Sequence, residues 1–168
     1  MEKVDRIDRY TKLLDEILKY FSIFMIIISV TLAFLNMVFR YFFGISYEVW
    51  TEISTYSIIY GVFAYLGPLI KQGEHIKMDM LHEVLSKKIL TYLDVFINLL
   101  LVASFSVLTY AGVHWVDSLI QMNTKTLSGG IYLYIPALAV VIGMALGIVY
   151  ASLELVKSVI LIKNGKKE

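Results

Sequence analysis

The chain has 168 residues, 58% of them hydrophobic and 17% charged, with a formal net charge of +1 and no cysteine. Soluble domains carry roughly 45–50% apolar and about 25% charged residues, so a water-facing globule and a disordered tail are disfavoured, and the near-neutral charge offers no field to attract nucleic acid. The lack of cysteine removes disulfide frameworks, zinc ribbons and iron–sulfur clusters.

In chain order, residues 1–19 come first. Val4, Ile7, Tyr10, Leu14, Ile17 and Leu18 recur at intervals of three and four, with Asp5, Arg6, Asp8, Arg9, Lys12, Asp15 and Glu16 between them. This spacing predicts an amphipathic helix, either lying in the membrane interface or extending the first span into the cytosol. Nothing in it reads as a cleaved signal peptide, because the charged stretch is too long and no small-residue cleavage site follows.

Four windows then lack Asp, Glu, Lys and Arg altogether: 20–39, 53–70, 95–116 and 131–153. About 20 apolar residues carry a helix across a ~30 Å hydrocarbon core, and a backbone in lipid must satisfy its own hydrogen bonds. The predicted fold class is therefore all-α, an integral membrane protein of one domain over 1–168, with transmembrane helices at 20–39, 53–70, 90–113 and 131–156. Between the first two spans, Gly44 suits a left-handed helix stop and Ser46 a helix cap, so a tight hairpin is expected. Arg40 ends the first span with Asn36 one turn earlier on the same face, and Glu48 or Glu52 is expected to pair with Arg40 across the turn.

Small and polar residues mark close helix packing. The second span carries Ser54, Ser57, Gly61, Ala64 and Pro68, and the fourth carries Ala139, Gly143, Gly147 and Ala151 at intervals of four. The first has Ser22, Ser29, Ala33, Asn36 and Arg40 along one side. These stripes imply helix contact within the bundle and, for some, with another protein.

Of the 15 Lys and Arg residues, only Arg40 and Lys125 lie in the two connections 40–52 and 117–130. The positive-inside rule then places both termini and the middle connection in the cytoplasm. Tyr41, Phe42, Phe43, Tyr47, Trp50, Tyr110, Trp115, Tyr132 and Tyr134 gather on the opposite side as an aromatic belt.

Candidates for chemistry are few. His75, Asp79 and His82 would share a helix face, but they fall in a polar connection after Gly73 and read as solvated rather than as a zinc site. No paired histidines lie within a span to hold haem. Asp94 and Glu154 sit near span ends, shallow enough to reach water, so no span has an acidic group at its middle for proton or ion coupling. No catalytic residue, metal or cofactor is expected.

The run Asn36-Met37-Val38-Phe39-Arg40-Tyr41, followed by Gly44, Ser46, Trp50 and Glu52, resembles the first hairpin of the small, DctQ-like permease subunit of tripartite ATP-independent periplasmic (TRAP) transporters. Gly73, His75, Ile76 and Asp79 resemble the family's signature after its second span, and Tyr132 stands four residues before Pro136 as in the family's Tyr-x-x-x-Pro element. Ala137 and Leu138 depart from it, where the family carries a glycine soon after the proline. The resemblance covers residues 10–160. It implies a multi-pass protein of the bacterial inner membrane, surrounded by lipid. It further implies a non-catalytic scaffold for a large membrane subunit that takes up an organic acid with sodium, delivered by an extracytoplasmic binding protein. The residues from Asn36 to Glu52 are then expected to dock these partners. The alternative is a self-sufficient homo-oligomeric carrier or channel.

Overall fold

The structure, a computed structural model, describes the backbone of residues 2–81 and 87–165, with side chains described for 11–72, 89 and 92–160. Four helices follow one another: α1 Glu2–Phe43, α2 Glu48–Leu81, α3 Lys87–Gln121 and α4 Tyr134–Gly165. Each contains a stretch apolar and long enough to cross a membrane: Thr11–Phe43, Glu48–Gln72, Tyr92–Gln121 and Tyr134–Ile160. The shortest, Glu48–Gln72, has 25 residues, which at about 1.5 Å per residue exceeds a ~30 Å core.

The helices outrun the charge-free windows because charged residues at a span's ends are met by water or by a polar partner without breaking the helix. Of the two placements open to the amphipathic N-terminal segment, the structure has the extension: residues 2–19 continue into the first span as one helix. The segment 73–81, read from sequence as a connection, is the last part of α2, and Gly73, His75, Ile76 and Asp79 all lie in it. The side chains of these residues, and His82 altogether, lie outside the described residues. The fourth helix begins at Tyr134 rather than at residue 131, because the preceding chain folds back on itself. Lys125 and Tyr132 form an antiparallel bridge, the Thr126 amide donates to the Ile131 carbonyl at 2.8 Å and the Leu133 amide to the Thr124 carbonyl at 3.0 Å.

The helices pack as a row in which α1 meets α2, α2 meets α4 and α4 meets α3. The inner pair α2 and α4 is accordingly the more occluded, with 28% and 39% of their apolar windows buried against 11% for α1 and 6% for α3. Close approach comes from the small residues. A Cβ on Gly143 would stand 2.6 Å from both Cβ and the carbonyl oxygen of Phe63, and one on Gly67 would stand 2.4 Å from the ring of Tyr150. Gly147 faces Leu66 and Phe105, so it sits where α2, α3 and α4 converge. Ala139 and Ala151 are buried as well. Between α1 and α2 the joints are polar. The Ser22 hydroxyl donates to the Gly61 carbonyl at 2.6 Å, and the Ser54 hydroxyl donates to the Ser29 carbonyl at 2.8 Å. Ser54 and Ser57 are buried, while Ala64 is half-buried beside a groove that Ala139 and Gly143 also line.

Candidate functional site

Polar side chains gather at the two ends of the bundle. The turn end carries the α1–α2 turn and the α3–α4 loop; the terminal end carries both chain termini.

At the turn end, Gly44 has φ +68° and donates its amide to the Arg40 carbonyl at 3.2 Å, ending α1 in the left-handed conformation its lack of a Cβ permits. The hairpin is then closed by Asn36. Its Nδ2 donates to Thr51 Oγ1 at 2.7 Å, and its Oδ1 accepts from the Tyr47 amide at 3.0 Å, so one side chain of α1 holds both the turn and the first helical turn of α2. Ser46 does not cap α2; the Tyr47 carbonyl accepts from the Trp50 and Thr51 amides, making Tyr47 the residue at the helix start. Phe39, Tyr47 and Trp50 pack edge-on or stacked, with ring centroids 4.8–6.0 Å apart. Tyr41, Phe42 and Phe43 point outward from the end of α1, and Tyr41 is 83% exposed.

The expected pairing of Arg40 with a glutamate does not form. Glu52 instead holds the α3–α4 loop: Oε1 accepts from the Ser128 amide at 2.8 Å, and Oε2 accepts from the hydroxyls of Thr126 at 2.7 Å and Ser128 at 2.5 Å. Three donors from a folded-back loop satisfy the carboxylate where a single flexible guanidinium was expected. Gly129, with φ +70°, and Asn123, with φ 52°, give the loop the bends that bring Ser128 there. Lys125 lies with its ammonium 5.4 Å from the centroid of the Tyr132 ring. Arg40 makes no ion pair among the described residues. It lines an open cleft of about 370 Å³ between α1 and α2 with Asn36, Thr51 and Thr55.

At the terminal end the polar groups bridge helices. Asp15 of α1 accepts from Lys71 Nζ of α2 at 2.7 Å and from the Tyr150 hydroxyl of α4 at 2.5 Å, and Lys71 also donates to Thr11 at 2.8 Å. Tyr150 is 1% exposed. Further along α4 toward the terminus, Lys157 donates to Glu154 Oε1 at 2.6 Å, with both side chains buried. Glu154 therefore does not reach water as its position near a span end suggested: it is 2% exposed, and its Oε2 has no hydrogen-bond partner.

Sequence reasoning gave Lys71, Thr126 and Ser128 a side of the membrane but no partner, and passed over Tyr150 altogether. Asp15 and Lys71 carried a faint signal, as charges standing within a few residues of an apolar run. No sequence signal marked Tyr150 as their partner.

Among the described residues no three metal-binding side chains converge. The arrangement supplies rigid turns, buried helix contacts and one open cationic cleft. The model of the DctQ component of tripartite ATP-independent periplasmic transporters matches residues 15–160. No curated protein and no solved structure matches the chain.

Proposed function

Because the chain belongs to the DctQ family of TRAP-transporter components, we propose that it acts in the bacterial inner membrane as a non-catalytic scaffold. In this reading it supports a large membrane subunit that takes up an organic acid with sodium from an extracytoplasmic binding protein. The observation that carries the reading is the distribution of packing. The small residues of α4 are buried within the row of helices, while α1 and α3 leave most of their apolar surface uncovered within the chain. A stationary wall needs a stiff interior and broad apolar flanks. An ion-coupled carrier needs charged or carbonyl-lined sites at depth, and the four charge-free windows supply no charge there.

The closed hairpin from Asn36 to Glu52, with Tyr41, Gly44, Ser46, Glu48 and Trp50 on or beside it, is the proposed docking surface for the protein partners. The turn end faces outward in this reading, as the distribution of Lys and Arg supports. Single cysteines at Ser46 and Thr126 should then react with an impermeant thiol reagent from outside, and ones at Glu74 and Asn164 should not. The reverse pattern would invert the topology.

Function is tested by reconstitution into liposomes under a sodium gradient, using this chain alone, the large subunit alone, or both, each with loaded binding protein. Uptake is expected only with both. Uptake by this chain alone would favour the autonomous carrier instead.

A further inference from the structure

We propose that the cleft between α1 and α2 at the turn end binds the phosphodiester of a membrane phospholipid, with Arg40 as its cation. The inference rests on the membrane placement of the helices and not on the scaffold reading.

Arg40 is exposed in the last turn of α1. The two carboxylates nearest it in sequence beyond the turn are otherwise placed. Glu52 accepts from Thr126 and Ser128, and neither Glu48 nor Glu52 lines the cleft. Arg40 therefore lines the cleft without a neutralising carboxylate among the described residues. Beside it stand Asn36, Thr51 and Thr55, over Ala33 and Met37. Thr51 Oγ1 already accepts from Asn36, which leaves its own hydrogen to donate into the cleft. The Thr55 hydroxyl is turned back to the Thr51 carbonyl. The open donors are thus a planar fork, the Thr51 hydroxyl and the second hydrogen of Asn36 Nδ2, a set that matches the oxygens of a phosphate.

Depth identifies the source of that phosphate. Tyr41, Phe42 and Phe43 directly follow Arg40 and are 83%, 73% and 66% exposed. Tyr41, with Tyr47 and Trp50 of the same hairpin, marks headgroup level, where tyrosine and tryptophan gather, and a guanidinium one residue from Tyr41 lies at the level of lipid phosphates. Ala33 and Met37 make the α1 side of the cleft apolar, opposite Ser54 of α2, and that side continues into exposed α1 side chains, Met37 at 60% and Val30 at 61%, along which an acyl chain can lie. This assigns Arg40 to lipid, and leaves the rest of the hairpin to protein partners.

The test is native mass spectrometry of the detergent-purified chain titrated with dioleoyl-phosphatidylglycerol. The wild type should retain one lipid through delipidating washes. Arg40→Ala should lower the lipid-bound fraction about fivefold or more, and Arg40→Lys about twofold, because an ammonium keeps the charge and loses the fork. Thr51→Val should lower it about twofold. Lys125→Ala, which removes the other cation of the turn end, should leave it unchanged. Helix content by circular dichroism separates lost binding from lost folding, and Arg40→Lys and Thr51→Val keep the test open if Arg40→Ala misfolds. Equal lipid retention by the wild type and all three cleft variants would overturn the proposal. So would displacement of the lipid by millimolar inorganic phosphate, which would make this a free-anion site. Unchanged lipid retention together with lost co-purification of the large subunit would overturn it in favour of a carboxylate on that subunit.

Discussion

At the turn end, Glu52 is held by a threonine, a serine hydroxyl and a backbone amide from one short loop, and its partners lie within three residues of each other. At the terminal end, Asp15 is held by a lysine from α2 and a tyrosine from α4, and beside them Glu154 and Lys157 form a buried pair on α4. One carboxylate fastens a loop to a helix; the other ties three helices together. The turn end can therefore change without loosening the bundle, whereas the terminal end cannot. This division suits a protein whose turns meet partners and whose body stays still.

The largest effect is expected between the two ends, where α2 and α4 touch. Gly143→Leu places a side chain against the Phe63 backbone, which cannot move aside without the helix moving. Overpacking costs about 1–3 kcal/mol where side chains can shift and more where, as here, the obstacle is backbone, so α2 and α4 must part and the chain should lose its monodisperse peak in size-exclusion chromatography. Gly147→Leu is the control. Its neighbours are the side-chain ends of Leu66 and Phe105, which can yield, so this variant should keep the peak with a lowered melting temperature. Equal loss in both would show that α2 and α4 tolerate no insertion along their whole contact.

Lys157→Ala should rank next. It leaves a buried carboxylate without its cation, and breaking such a pair costs about 3–5 kcal/mol. The double variant Glu154→Met, Lys157→Met removes both charges and should recover most of the loss, since an apolar pair of similar volume is often as stable as the ionic one. Thermal unfolding in detergent reads both. Failure of the double variant to recover would mean that the pair fixes the packing of α4 in a way an apolar pair cannot replace.

Asp15→Ala and Glu52→Ala set the two ends directly against each other. Asp15→Ala should lower the melting temperature, because hydrogen bonds between membrane helices contribute about 0.6–1.7 kcal/mol each and it removes two of them. Glu52→Ala should leave the melting temperature nearly unchanged and open the loop between α3 and α4 to protease. If the two variants melt alike, Glu52 supports the bundle as much as Asp15 does, and the division between the ends fails.

The spans were legible because charge-free windows of this length have one stable outcome in lipid. Gly44 was legible for the same local reason, since few residues other than glycine stop a helix in the left-handed conformation. Helix ends were less legible: Lys19, Lys71 and Glu154 broke the apolar windows without breaking the helices, because a charge near a helix's end can find water, another helix or a partner one turn on. The start of α4 was misplaced because residues 131–133 are apolar enough to span, yet their amides and carbonyls pair with residues 124–126. Charge attraction suggested an Arg40 pair with Glu48 or Glu52. The folded-back loop brought three donors to Glu52 instead, and its shape depends on glycine and asparagine conformations that charge does not report. The cluster of Asp15, Lys71 and Tyr150 depends on α1, α2 and α4 meeting at one end, a fact of helix order that no local pattern encodes.

The most local expected effect isolates backbone conformation at the turn end. A Cβ on Gly44 would meet nothing within 4 Å, so Gly44→Ala introduces no clash and its cost is conformational alone, about 1–2 kcal/mol for an L-residue held in the left-handed region. Gly44→Asn should cost less, because asparagine tolerates that region and often ends helices there. The hydrogen bonds of Asn36 to Thr51 and Tyr47 would hold the hairpin in either variant, so Glu52 and its loop should not respond, and protease sensitivity between α3 and α4 should stay at the wild-type level. A loop that opens in Gly44→Ala would show that the two turns are coupled through the start of α2, and that the turn end behaves as one body rather than as two independent fastenings.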